Sequence, residues 1–197
     1  MTGPIDADAL RAALARPGAQ SSDFDLNPGY RPPEGRKLRP AGVLVAVGPA
    51  GEVWLTKRSS VLKHHPGQIA FPGGKQDEGD ADPVAAALRE AEEEIGLPRD
   101  GTEILGTLPC HETVTGFTVT PVLAQVGRAF TPVPEPGEVE EVFCVPLAHL
   151  ADPACYTVQA RRWRGQWRNY LTVPWGPYYI WGATARILRN LAEQLRA

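Results

Sequence analysis

Apolar positions follow two periods along the chain, and each period predicts its own kind of element. Ile5, Leu10 and Leu14 fall at helical spacing, and Pro17-Gly18 ends the run, so a helix is expected over residues 5–15. Residues 19–38 are rich in Gly, Pro and Asp, keep neither period, and read as an irregular arm. Residues 41–47, Ala-Gly-Val-Leu-Val-Ala-Val, form a short β-branched run, the pattern of a buried strand. Pro49-Ala50-Gly51 makes a turn, and residues 52–56 are expected to pair back as a second strand. Residues 57–74 read as a polar, glycine-containing loop with Ile69-Ala70-Phe71 near its end. Further strands are expected near 103–110, 117–126 and 141–146. The three prolines of 131–137 make a loop, 156–173 suggests a two-stranded ribbon turning at Gly165, and 178–195 an amphipathic helix or a strand end leading into one.

The best-defined helix lies in the middle. Asp82 suits the N-cap, and Pro83 fits the first helical position, where a missing N–H costs nothing. Gly96 fits the residue just past the C-terminus, with Pro98 after it. Val84, Leu88, Ala91 and Ile95 then form one apolar stripe. Strands flanking this helix, with another helix at the end, predict an α/β fold, an α/β/α sandwich around a mixed β-sheet. No repeat or linker divides the chain, so residues 1–38 are expected to be a helix and arm, and 39–197 one domain.

Composition changes this picture little. Of 197 residues 43% are hydrophobic and 22% charged, as in ordinary globular proteins, and a net charge of −3 gives no sign of a general polyanion binder. Cys110, Cys144 and Cys155 match neither a disulfide framework nor a zinc signature and read as buried reduced thiols. There is no signal-peptide pattern and no apolar run of membrane-spanning length. The expectation is a cytoplasmic protein without membrane or nucleic-acid partners.

Charge on the central helix carries the chemistry. In Arg89-Glu90-Ala91-Glu92-Glu93-Glu94, a rotation of about 100° per residue puts Glu90 and Glu94 on one face with Glu93 beside them. That cluster points away from the apolar stripe. Carboxylates there repel one another and face the negative end of the helix dipole. Bound Mg²⁺ or Mn²⁺ would relieve both costs. The competing reading is a solvated acidic face, with Arg89 and Glu93 as a simple ion pair.

Residues 73–97, GGKQDEGDADPVAAALREAEEEIGL, resemble the Nudix box, whose second half is matched by Arg89, Glu90, Glu93, Glu94 and Gly96. The approach from Gly74 to Arg89 is one residue longer than in the general box, and Asp77, Glu78 and Asp80 are its available acids. Upstream, Leu55-Thr56-Lys57-Arg58-Ser59 and then Gly67-Gln68-Ile69-Ala70-Phe71-Pro72-Gly73-Gly74-Lys75 resemble the extra signature of the coenzyme A pyrophosphatase branch, with Lys63 where that signature has Arg. Segments 138–143 and 179–185 are similar to the same branch, and the likeness spans roughly 40–190.

The resemblance implies a Nudix-type sandwich that hydrolyses coenzyme A or its derivatives to 3′,5′-ADP and 4′-phosphopantetheine or its acyl form. It implies Glu90 and Glu94 as metal ligands, Glu93 as a ligand or the group orienting water, and Arg89 as the brace of a glutamate. Glu93, Glu141 and Glu138 are the candidates for general base. Arg58, Lys63, Gln68, Gly73 and Gly74 are the candidates for substrate binding. Arg58, Lys63, His64 and His65, on a loop expected to face the substrate, are candidates for the 3′-phosphate of coenzyme A or the bridge, although the two histidines, without ligand spacing, read first as exposed and without a role. The arginine–aromatic interleaving of 161–175 reads first as a twisted hairpin, then as a border of the adenine end or a homodimer interface. The alternatives are a broader pyrophosphatase of ADP-ribose or dinucleotides, and a non-catalytic module binding a nucleotide or RNA.

Overall fold

The computed structural model describes residues 5–32, 34–163 and 165–196. In chain order the elements are α1 (Ala7–Leu14), β1 (Ser21–Ser22), β2 (Arg39–Val47), β3 (Glu52–Arg58), β4 (Ile69–Ala70), β5 (Gly73–Lys75), α2 (Pro83–Ile95), β6 (Thr102–Thr107), β7 (His111–Glu112), β8 (Phe117–Val126), β9 (Val139–Pro146), α3 (Leu147–Leu150), β10 (Thr157–Trp163), β11 (Gln166–Thr172) and α4 (Gly182–Arg196).

The long apolar strands are buried on both faces, which is why they read as continuous runs. In β2, Leu44 and Ala46 face α2, while Val45 and Val47 face the opposite core. β8 runs parallel to β2 from Arg39↔Phe117 to Val47↔Gln125 and divides the same way. Its Val122, Ala124 and Val126 join the α2 side, and Val119 and Leu123 join the side of α1 and α4. α2 covers one face of the sheet, and α1, α3 and α4 cover the other, giving the α/β/α sandwich.

Nine strands make up the main mixed sheet among the described residues. The expected pairing of 52–56 back onto 41–47 is confined to the hairpin root, Val47↔Val53. Beyond it β2 and β3 part. β5 pairs with β2 through Ala41↔Lys75 and Val43↔Gly73, β4 pairs with β3, and β9 lies along the other edge of β3. The segment 57–74, expected as loop, therefore holds two short strands that fill the split. Two- and three-residue strands carry too little period to be seen in sequence.

The strand expected over 103–110 ends at Thr107 and resumes at β7. Both pieces pair with β8, and the break holds a register shift between Ile104 and Gly106 and, at Pro109, a residue without a backbone N–H. The terminal helix starts at Gly182. Residues 172–181 form bridges instead, Thr172↔Trp181 and Trp175↔Tyr178. The arm is not wholly irregular, because β1 pairs in parallel with β7. His111, fully buried, ties the arm down through its Nδ1 to Ser21 Oγ at 2.9 Å and its Nε2 to Asp23 Oδ1 at 3.2 Å. The three cysteines are unpaired, but Cys144 is exposed, on the outward face of β9 between buried Phe143 and Val145, and the other two are only half-buried, in the turns before β7 and after α3. No helix among the described residues is long and apolar enough to cross a membrane.

α2 follows its sequence signals closely. Asp82 accepts a hydrogen bond from the Ala85 amide at 2.8 Å, and Gly96 closes the helix at φ 66°. Ala91 and Ile95 of the apolar stripe are buried, with Val84 and Leu88 packed at its margin. Gly42 permits this helix to sit directly on β2: a Cβ there would run into the Pro83 carbonyl and lie 3.0 Å from the Ala87 amide nitrogen. Gly42→Ala is expected to cost about 1–3 kcal/mol, as overpacking against unyielding backbone does. Urea denaturation that finds the variant as stable as the parent would contradict this close approach.

Candidate active site

Below the last turns of α2 lies β5, and the two together make an acidic site. The Gly73 amide donates to Glu94 Oε2 at 3.1 Å. Gly74 lies beneath the other carboxylate, where a Cβ would be 2.5 Å from Glu90 Oε1 and 2.6 Å from its Cδ. Glycine is required at position 73, where a Cβ would run into the backbone of Gly42 and Val43 and the chain adopts φ 148°, whereas a Cβ at Gly74 would displace only the end of the Glu90 side chain. The structure thus assigns Gly73 and Gly74 contacts with the glutamates.

Glu94 does not share the exposed face that helical spacing suggests. It is 4% exposed, with a single backbone donor. Burial pushes its carboxyl up to about 7; the Gly73 amide opposes this, Glu90 and Glu138 add to it, and Arg58 draws it down. Glu90 is likewise raised, first by burial, with Arg89 opposing. Glu93 is outermost, its side chain 58% exposed and bonded to Arg89 Nη1 at 3.0 Å.

Arg89 organises the approach to the helix. It forks onto Asp80, with Nε to Oδ1 at 3.1 Å and Nη2 to Oδ2 at 3.0 Å, and Nη2 also lies 3.0 Å from Glu90 Oε1. These bonds push the guanidinium up and hold the Asp80 carboxyl below its ordinary range, helped by the Asp77 amide at 2.9 Å. Of the three acids in the long spacer, Asp80 is therefore the one buried against Arg89. Asp77 bonds to Lys75 at 2.8 Å.

The proline-rich loop is docked on the open end of α2. The Val133 amide donates to the Ile95 carbonyl and the Glu135 amide to the Glu94 carbonyl, each at 3.0 Å. These bonds satisfy carbonyls the helix leaves unpaired and set Glu138 at the start of β9, where its charge reaches Glu90 and Glu94. Glu141 lies elsewhere: it accepts from the Tyr178 hydroxyl at 2.5 Å and borders a separate hollow with Lys57 and Tyr179.

On the α4 side of the sheet is a cavity of about 380 Å³, bordered by Arg58, Gln68, Phe71, Arg161, Arg168 and Trp181, and the charge of Arg58 in its wall reaches Glu94. Arg58 and Gln68, expected at the substrate, are in its wall. Lys63 is exposed and does not border it, because it sits on the outer turn after β3. His64 is exposed, whereas His65, also exposed and at φ 56°, borders the cavity. Asp23 and Asn27 of the arm complete the wall. Sequence patterning gave no signal for them, because an irregular segment has no period that reveals which way its side chains face.

Among the described residues no three acidic, imidazole or thiol groups are gathered as a ready-made metal site. Two under-compensated carboxylates nevertheless fit a hard cation that keeps its waters and shares substrate phosphates, as Mg²⁺ does.

Residues 37–165 match the NUDIX domain, so the chain that forms this sandwich and its carboxylate-bearing helix belongs to the Nudix hydrolase family, whose members hydrolyse phosphoric anhydrides. It is 40% identical over 159 residues to an uncharacterized Nudix hydrolase NudL of Cronobacter sakazakii, covering 80% of this chain and 83% of that one. The NudL of Escherichia coli K12 is 40% identical over 159 residues as well, with the same coverage. Among solved structures, RenU, a Nudix hydrolase of M. smegmatis, shares 29% identity over 59% of this chain and 74% of that chain, at a TM-score of 0.46. Enzymes of this family act on small nucleotide substrates and generally use divalent cations such as Mg²⁺ or Mn²⁺.

The burial of Glu94 has a consequence for stability. Its carboxyl stands at about 7 when folded against an ordinary 4.5, so between those values the folded metal-free protein binds a proton that the unfolded chain releases. Stability from this group is therefore present at low pH and is lost as pH rises through that window. Glu94→Gln is expected to melt higher than the parent at pH 8 in a chelator and near it at pH 5. Parallel melting curves at both pH values would contradict the buried charge.

Proposed function

We propose that this chain hydrolyses the pyrophosphate bond of coenzyme A or its derivatives, using Mg²⁺ or Mn²⁺, to give 3′,5′-ADP and 4′-phosphopantetheine or its acyl form. The observation that carries this reading is the pairing of two features. The half-buried Glu90 and buried Glu94 carboxylates lie over Gly74 and Gly73, and the cavity whose wall holds Arg58 and Gln68 is tied to them by the charge of Arg58 on Glu94. The residues that resemble the coenzyme A signature thus supply both the floor under the glutamates and one side of the cavity.

Glu90 and Glu94 would hold the cation, with Glu93 at the outer edge. The cation, when bound, neutralises phosphate charge and acidifies a bound water. Arg89 is a positioning residue: anchored by Asp80, it turns the Glu90 carboxylate and keeps Glu93 close. Arg58 faces the glutamates electrostatically and suits the phosphates of the substrate. Glu138 is favoured over Glu141 as proton acceptor, since its charge reaches both Glu90 and Glu94 while Glu141 is engaged by Tyr178. Glu93 is already bonded to Arg89.

Glu94→Gln is expected to abolish metal-dependent turnover while the fold persists by circular dichroism. Near-normal activity would remove Glu94 from the metal site. Glu138→Gln is expected to lower kcat far more than Glu141→Gln, and the reverse order would reassign the base. The substrate is tested by chromatography of products after incubation with coenzyme A, ADP-ribose and a dinucleotide, each with Mg²⁺ or Mn²⁺. Release of 3′,5′-ADP from coenzyme A is expected; its absence overturns the substrate assignment.

A further inference from the structure

The wall of the cavity contributed by β10 and β11 carries a charge arrangement that the glutamate chemistry does not use. In the ribbon register Arg161 stands directly opposite Arg168, so both side chains leave the same face. Like charges placed this way destabilise a ribbon. Among the described residues neither guanidinium has a carboxylate within ion-pair distance. Asp23, which also borders the cavity, is committed to His111 and to the Val114 amide.

Aromatic faces hold the two arginines in place. Arg168 lies 3.7 Å from the ring centre of Tyr30 and 4.7 Å from that of Trp163, and Arg161 lies 4.4 Å from that of Trp181. Stacking fixes the plane of a guanidinium and leaves its N–H edge to bind an oxyanion. Arg168 Nη2 is buried without a hydrogen-bond partner. Two stacked guanidiniums, one donor unsatisfied, in a cavity with aromatic walls suit a phosphate monoester attached to a nucleoside.

We propose that Arg161 and Arg168 form a phosphomonoester subsite that takes the 3′-phosphate of the substrate's adenosine, leaving Arg58 for the diphosphate bridge. The identity of the nucleotide rests on the coenzyme A reading, while the site rests on the ribbon geometry. The discriminating pair of ligands is 3′,5′-ADP and 5′-ADP, which carry the same two phosphates in different places.

Binding is measured by calorimetry in chelator, so that turnover plays no part. The parent is expected to favour 3′,5′-ADP about tenfold or more, the order of a charge-assisted contact. Arg161→Gln combined with Arg168→Gln is expected to erase that preference, and Arg162→Gln, on the opposite face of the ribbon, to keep it. Arg161→Gln alone, at an exposed position, is measured as well, so that the test survives if the double variant does not fold; it is expected to weaken the preference. Equal affinity of the parent for both nucleotides overturns the subsite, as does a preference that persists undiminished in the folded Arg161→Gln variant or in the folded double variant. Inorganic phosphate binding as tightly as 3′,5′-ADP also overturns it, because the site would then be a general anion site. A retained preference without hydrolysis of coenzyme A would overturn the hydrolase reading and leave the subsite standing.

Discussion

The site depends on one close contact, the seating of α2 on the backbone of β2 and β5. Gly42 lets the first turn of the helix reach the sheet, Gly74 leaves room for the Glu90 carboxylate, and Gly73, whose amide holds Glu94, lets β5 lie close against β2. A side chain at Gly42 would lift the helix, one at Gly73 would part β5 from β2, and one at Gly74 would push the Glu90 carboxylate aside. The same close seating takes Glu94 out of water, which raises its carboxyl and creates the charge imbalance that a cation can answer.

Around this contact the protein limits its own electrostatic strain. Arg89 sits among Asp80, Glu90 and Glu93, so the acids nearest the surface are partly neutralised by one guanidinium. The amides of Val133 and Glu135 satisfy the carbonyls at the end of α2, and this docking places Glu138 where it adds negative potential. Among the described residues Glu94 receives a hydrogen bond only from the Gly73 amide, which leaves it the least compensated acid of the group. Positive charge is instead gathered in the cavity on the α4 side of the sheet.

The cavity itself is assembled from segments far apart in the chain. The arm contributes Asp23 and Asn27, the strand β3 Arg58, the ribbon Arg161 and Arg168, and the start of α4 its Gly182 and Thr184. Pinning of the arm by buried His111 and anchoring of Asn169 to Asn27 at 2.8 Å hold two of these walls together. A short ribbon outside the main sheet has little core of its own, so such tethers decide where its arginines point.

Local periodicity and end signals determined much of this protein. Asp82, Pro83 and Gly96 delimited α2, the apolar runs marked β2 and β8, and the tandem motifs around Gly74 and Arg89 marked the family, because each rests on residues close in sequence. The burial of Glu94, the choice of Asp80 as partner of Arg89, the separation of Glu141 from Glu138, and the facing arginines of the ribbon were decided only by tertiary structure. Helical spacing gives the angle of a side chain but not what the helix packs against, and strand alternation gives a face but not its neighbour. Charge compensation and burial depend on those neighbours, which come from distant parts of the chain.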